Sequence, residues 1–481
     1  MAEHMSVGRY AATRFTTLKP TGNVPPNPFA VLRTLTWHQW RFFLIAFVAW
    51  TWDAFDFFTV SLTVSALAKE FDRSKTDITW GITLVLMLRS VGAITFGIAA
   101  DKWGRKWPFI INNLLFILFE LLTGFMTSYK GFLIVRAFFG IAMGGIYGNC
   151  AATALEDAPP EARGILSGML QQGYAFGYLL AAVFSRALAH DPTHGWRPLF
   201  WFGACPPALI ILWRLYLPET NAFLARQELR KHAEVEGVGS TFMKEAKVGF
   251  KKHWITLVYM VLMMAGFNFM SHGSQDLYPT LLESQLEFSS NQVTVTQVVA
   301  NLGAMLGGTT MGYMSQTIGR RTSIIGACIL GGALVYPYTY VRSNNIMAAA
   351  FFEQFMVQGA WGVIPIHLME LSPPGMRTFV VGTAYQLGNL VSSASSTIEA
   401  TIGERFPLED SDGGEARYDY AKVMAIFMGA VFAYVIVLVF LGPEKLGRDL
   451  SLEEDEVASV KASDLERASE KPVAEGREIV G

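Results

Sequence analysis

Charge is what this sequence has least of. Asp, Glu, Lys and Arg make up only 16% of its 481 residues, against about 25% in soluble globular proteins. The shortage runs along most of the chain, which excludes a soluble protein with one anchor and implies a polytopic membrane protein. Cysteine is scarce as well. Cys150, Cys205 and Cys328 lie in or beside apolar runs without CxxC spacing, so they read as packing residues and not as disulfides or metal ligands. A net charge of -2 and the lack of a basic stripe exclude a nucleic-acid partner. There is no Walker loop, no dinucleotide fingerprint and no zinc spacing, so no cofactor or metal is expected, nor an enzyme. The first 30 residues lack the apolar core of a signal peptide.

What the chain does have is long apolar runs, 52% hydrophobic residues overall and a mean hydropathy of +0.32. A membrane span needs roughly 20 mainly apolar residues. Candidate spans cover approximately 41–67, 78–100, 108–127, 130–153, 164–189, 197–217, 254–282, 292–315, 322–341, 346–369, 378–402 and 420–441. The expected fold is all-α, twelve transmembrane helices in two six-helix halves. Its parts are an arm (1–40, mostly disordered), a first bundle (41–217), a charged linker (218–252), a second bundle (253–442) and an acidic, disordered tail (443–481).

An internal repeat supports the two halves. GIAADKWGRK (Gly97 to Lys106) returns as GYMSQTIGRR (Gly312 to Arg321). EDAPPEAR (Glu156 to Arg163) returns as ELSPPGMR (Glu370 to Arg377), at nearly the same offset of about 215 residues. Carriers built from repeats place substrate near the bilayer midplane, between the copies. Lys and Arg number roughly 20 in the loops on the amino-terminal side and about 10 on the other, so both termini are expected in the cytoplasm.

The loop GIAADKWGRK resembles the signature G-x-x-x-D-[RK]-x-G-R-[RK] of the major facilitator superfamily. RAFFGIAMGG (Arg136 to Gly145) and LPET (Leu217 to Thr220) resemble two further motifs of that superfamily. The resemblance implies an alternating-access carrier with a gate at these loops. Asp101, Arg105, Lys106, Glu156, Arg163, Arg320, Arg321, Glu370 and Arg377 are the expected gate residues. Gln316 stands where the second copy would carry an aspartate, so the gate should be asymmetric.

A narrower resemblance begins at Asn268. The pattern N-x-x-S-H-x-x-Q-D-x-x-x-T (Asn268, Ser271, His272, Gln275, Asp276, Thr280) is similar to that of fungal Jen-type carboxylate/proton symporters, as are DAFDFF (Asp53 to Phe58), LRSVGA (Leu88 to Ala93) and YQLGN (Tyr385 to Asn389). It implies a plasma-membrane symporter of short monocarboxylates such as lactate and pyruvate. A dicarboxylate or sialate:proton symporter is the alternative, and a carboxylate sensor signalling through its tail a remote one. It also implies that the fifth and eleventh helices shape selectivity, which points to Phe176, Gln386 and Asn389.

The residues themselves point to the same chemistry. Asn268, His272, Asp276 and Thr280 step by four along one helix face. Ionisable groups cost several kcal/mol in lipid, so the stripe should face a watery cavity. His272 and Asp276 are one turn apart, suited to proton exchange, and Gln275 lies beside them. Arg89 sits deep in the second span and offers a carboxylate a planar, permanently charged fork. Asp53, Asp56 and Glu120 are its possible ion-pair partners, Arg136 competes for them, and the acids are further proton sites. The stripe could instead be an inter-helix clamp. Phosphorylation or ubiquitination of the tails is family analogy.

Overall fold

The computed structural model describes residues 7–19, 26–189, 193–235, 242–393, 395, 398–399, 402, 405–408, 419–448 and 450. Two short helices, α1 (Val7–Thr16) and α2 (Pro28–Arg33), precede the first half. That half comprises α3 (Trp37–Phe71), α4 (Lys75–Trp103), α5 (Lys106–Phe125), α6 (Tyr129–Gly144), α7 (Ile146–Leu155), α8 (Arg163–Leu188), α9 (Arg197–Gly203) and α10 (Cys205–Tyr216). Then follow α11 (Asn221–Val235), α12 (Phe242–Gln275), α13 (Tyr278–Thr280), α14 (Ser290–Ile318), α15 (Arg320–Tyr340), α16 (Ile346–Leu371), α17 (Arg377–Ser392) and α18 (Tyr420–Leu441). The pairs α6–α7 and α9–α10 each form one membrane span.

Eight of these spans are long and apolar enough to cross a bilayer on composition alone. The other four of the twelve are α8, α14, α16 and α17. Each packs across the seam between the halves: α8 on α14 and α16, α17 on α4 and α7. A helix buried by protein on its seam face, as α8 and α14 are, needs fewer lipid-loving residues.

The repeat is written into the helix ends. Ser74 caps α4 in a capping box with Asp77, and Ser289 caps α14 in the same box with Gln292, 215 positions on. Each box satisfies two otherwise orphaned N–H groups. Both helices end on a glycine with positive φ, Gly104 at 95° and Gly319 at 103°, a backbone that side-chain-bearing residues rarely adopt. These turns aim the gate arginines that follow.

Two expectations change. The arm expected to be mostly disordered contains α1, which docks on the end of α18: Tyr10 donates to the Leu441 carbonyl at 2.8 Å and Arg14 to that of Gly442. The seventh span is not one helix. It stops at Gln275 and restarts at Tyr278, so Thr280 lies beyond a break and not on the continuous stripe. Pro279 explains the break, since it has no N–H to give the Gln275 carbonyl one turn before it, and it suits the first turn of the helix that restarts at Tyr278. Of the acidic tail, residues 451–481 lie outside the described residues. Cys150 and Cys328 are buried, whereas Cys205 is exposed on the surface.

Candidate functional site

Three layers stack between the halves, from the face that carries both ends of the chain (the terminal face) toward the far face. The first layer is charged. Arg105 bonds Glu156 through two nitrogens, at 2.6 and 3.1 Å, and lies 3.2 Å from Asp101. Asp101 in turn accepts from the Thr378 and Phe379 N–H groups at 3.2 and 2.8 Å. Those N–H groups open α17, so a carboxylate of the first half sits on a helix N-terminus of the second, where charge and dipole agree. Burial raises the Glu156 pKa, but the Arg105 guanidinium outweighs it and holds the carboxyl below its ordinary value.

In the second copy Arg320 bonds Glu370 twice at 3.0 Å, through Nε and Nη2; Nη2 also donates to the Gln316 amide oxygen at 2.8 Å, and Nη1 donates to the Ser315 hydroxyl at 2.7 Å. The gate is therefore asymmetric in its geometry. A neutral amide, Gln316, stands where the first copy has the Asp101 carboxyl. The tail joins this layer: the Gly447 N–H donates to Glu370, and Arg448 donates to the carbonyls of Glu370 and Ser372. Arg163 reaches the Arg448 carbonyl at 3.0 Å, so the strap ties both halves. Arg377 donates to the Leu450 carbonyl.

Two expected gate residues do other work. Lys106 donates to the Leu215 carbonyl at 2.8 Å, inside the first half, and does not bridge the halves. Arg321 fastens α1, binding Thr17, the Arg14 carbonyl and the carbonyls of Val439 and Phe440. The loop spacing sets the backbone turn for both residues, but their neighbours decide where the long side chains end.

The second layer is aromatic. Tyr147 of the first half stacks on Tyr385 of the second with ring centres 4.0 Å apart; Trp50 lies 4.8 Å from Tyr147 and Trp361 5.7 Å from Tyr385. This plug sits about one turn on the terminal side of Arg89. Together with the charged layer it closes the site to the terminal face.

The third layer holds the ionisable core. Arg89 is buried and lies 3.3 Å from Asp53 and 5.0 Å from the Phe57 ring. Its backbone is clamped by Gly144, where a Cβ would overlap the Arg89 carbonyl. Arg136 pairs with Glu120 at 3.1 Å and lies over Phe139. Asp56 is buried among them with neither carboxyl oxygen hydrogen-bonded. Two guanidiniums thus face three carboxyls.

Across the cavity, His272 Nδ1 and Asp276 Oδ2 are 3.0 Å apart, with side chains 27% and 31% exposed. That exposure sets the pair apart from the buried acids of the first half. Tyr174 links the two sides, within electrostatic range of Arg89, Asp53 and Asp276. The rest of the stripe is more structural. Asn268 is buried and donates to the Met264 carbonyl, while Ser271 accepts from the Trp361 indole at 2.7 Å. Gln275 donates to Gln354 at 3.0 Å. Asn389 donates to Gln386, which is wholly buried. Phe176 stacks on Phe47 at 6.4 Å. Glu399 is buried near Gly273 and within range of Asp276.

The structure brings together Arg89, Asp53, Asp56, Glu120 and Arg136 on one side of the cavity and His272 with Asp276 on the other. Sequence reasoning missed Tyr147, Tyr174, Trp361 and the acid Glu353. The aromatics carried no signal among 63 Phe, Trp and Tyr residues. Glu353 did carry one, as an acid inside an apolar run.

Comparison with known proteins agrees with this architecture. The family model described as "Sugar (and other) transporter" matches residues 27–455. The chain is 43% identical to the carboxylic acid transporter protein homolog of Saccharomyces cerevisiae, over 96% of this chain and 79% of that one. It is 28% identical to the cis,cis-muconate transport protein of Acinetobacter baylyi, over 76% and 87%. Among solved structures the proton:xylose symporter XylE superposes with a TM-score of 0.67, at 17% identity, covering 88% of this chain and 99% of that one. The twelve-helix frame, the seam between its halves and these matches place the chain in the sugar (and other) transporter family of the major facilitator superfamily, as a homologue of a carboxylic acid transporter.

Proposed function

We propose that the protein is a proton-coupled symporter of short monocarboxylates such as lactate and pyruvate, working by alternating access in the plasma membrane with the terminal face in the cytoplasm. The observation that carries this reading is Arg89. It is a buried guanidinium held by a single carboxylate, Asp53, at 3.3 Å. A substrate carboxylate offers the same fork-shaped partner as Asp53 and can displace it. Relatedness to a carboxylic acid transporter homolog supports the substrate class.

Charge balance then asks for a proton. With two guanidiniums against three carboxyls, the core is balanced when one carboxyl is protonated. A monocarboxylate adds one negative charge, and one proton taken up with it restores the balance. The exposed His272–Asp276 pair is the entry point for that proton. Once Arg89 is occupied, the halves rock: the aromatic plug parts, the Asp101–α17 contact and the two gate arginines release, and substrate leaves to the cytoplasm. Gln386, Asn389 and Phe176 shape the cavity wall in this scheme.

The test is uptake of labelled lactate by proteoliposomes with and without an inward proton gradient. Accumulation above equilibrium that needs the gradient is expected. Uptake indifferent to the gradient would make the protein a facilitator, and no lactate uptake would move the substrate to another acid. A dicarboxylate is the second reading, favoured by Arg136 in the same buried core as Arg89. Competition by succinate stronger than by lactate would select it.

A further inference from the structure

One ionisable group in the second half has no part in the scheme so far. Glu353, on α16, is wholly buried, and neither of its carboxyl oxygens meets a hydrogen-bond partner among the described residues. The ionisable groups that face it are Tyr278 from α13 and Cys328 and Tyr338 from α15, none of them cationic. α14 presents Gly303 and Gly307 to the neighbouring turns of α16. α12 carries His272, which bonds Asp276 just past the helix end. Asp53, Asp56 and Glu120 have a guanidinium on them or beside them, and Asp276 is open to water. Glu399 is also buried without a hydrogen-bond partner among the described residues, but its charged neighbour is the exposed Asp276.

The surroundings of Glu353 are polar all the same. Tyr338 donates to the Ser274 carbonyl at 2.6 Å and stacks on Tyr278 at 4.0 Å, and the Tyr278 hydroxyl is itself buried without a partner. Gln354, the next residue, reaches Ser274, Tyr338 and the exposed Gln275. Glu353 therefore sits at the back of a hydrogen-bonded layer whose front edge is the cavity. That layer rests on the break after Gln275, the hinge point of the seventh span.

We propose that Glu353 is the seat of the transported proton while the carrier is closed to both sides. The inference rests on the symport reading above. A bare carboxylate sealed in a low-dielectric core costs several kcal/mol or more, and the neutral acid far less. Closure of the second half over Glu353 is then permitted only when a proton from far-side water has formed an O–H bond on one of its oxygens. Opening to the other side lets the same proton leave to water, and no other bond changes. Asp53 and Glu120 suit this task less well, because protonating either would dissolve an ion pair with its arginine.

The experiment uses the full chain in proteoliposomes and two assays of labelled lactate. Counterflow needs the carrier to reorient but not to release its proton; accumulation needs both. In Glu353→Gln, counterflow should stay within about 3-fold of the parent while gradient-driven accumulation falls by 10-fold or more, roughly the weight of one lost proton-transfer group. Accumulation equal to the parent's would overturn the proposal and leave Glu353 a permanently neutral packing acid. If Glu353→Gln loses counterflow as well, Glu353→Asp decides. Accumulation with a displaced pH midpoint supports the proposal, and an unchanged midpoint overturns it. A parent that shows counterflow but no accumulation removes the symport reading itself, a different result from either.

Discussion

At equivalent positions of the two halves, Asp101 faces Gln316 while Arg105 and Glu156 face Arg320 and Glu370. The first copy adds the Asp101 carboxyl to its arginine–glutamate pair and uses it to hold the N-terminus of α17. The second copy keeps the arginine–glutamate pair and offers only an amide. The cores differ in the same sense. The first half carries Arg89–Asp53 and Arg136–Glu120 ion pairs, and the second leaves Glu353 and Glu399 buried without a hydrogen-bond partner among the described residues. One six-helix scaffold thus supports a charged half suited to binding an anion and a half whose interior tolerates charge only when it is neutralised. Symmetry of backbone does not require symmetry of charge, because capping, glycine turns and helix packing use different residues from those that fill the cavity.

The largest effect should come from the charged core. Arg89→Ala leaves Asp53 buried without its partner and removes the anion's fork. Lactate uptake should fall by about 100-fold or more, and Arg89→Lys should restore little of it, since an ammonium lacks the bidentate fork. Substantial uptake by the alanine variant would move the binding site off this half.

Next in size is the gate. Glu156→Ala strips Arg105 of its bidentate partner in the first copy and should cost about 3–5 kcal/mol of stability, read as a lowered thermal midpoint in detergent. Glu370→Ala should cost more, because it leaves Arg320 bonded only to the neutral Gln316 and Ser315, whereas Asp101 still stands 3.2 Å from Arg105 when Glu156 is lost. Equal losses would break the asymmetry argued here. Gln316→Asp tests it from the other direction. It gives the second gate the missing carboxyl beside the N-terminus of α8, so the terminal face should open less readily. A fall in turnover on the order of 5-fold with an unchanged KM is expected from one such coupling term, and faster turnover would contradict it.

The smallest effect belongs to α1. Removing residues 1–19 frees Arg321 and the end of α18 without touching the cavity. The thermal midpoint should drop by about 2 °C, with lactate affinity unchanged. A changed affinity would mean that the arm communicates with the site.

Much of the frame was legible in the sequence. Apolar run length gave the spans, and the returning GRK/GRR and E-x-x-P-P-x-x-R loops gave the repeat. The depth of Arg89 and the i, i+4 step from His272 to Asp276 needed only helix geometry. Two details were readable and missed, the Ser74 and Ser289 capping boxes and the intramembrane acid Glu353. Others were not readable. Lys106 and Arg321 look like gate residues by spacing, but long side chains go where acceptors lie, and the Leu215 and Val439 carbonyls are far away in sequence. The Tyr147–Tyr385 plug joins residues from different halves, which no local pattern specifies.

By itself the sequence determined the elements: where helices cross, where glycine and proline turn or break them, and which charges lie at membrane depth. These follow from short-range rules of hydrogen bonding and transfer to lipid. Only the tertiary structure decided which charges are partnered. Asp53 is tied to Arg89 and Glu120 to Arg136, while Asp56, Glu353 and Glu399 have no hydrogen-bond partner among the described residues. The energy of a buried charge depends on its distance to a counter-charge and to water, and both distances are set by helix packing.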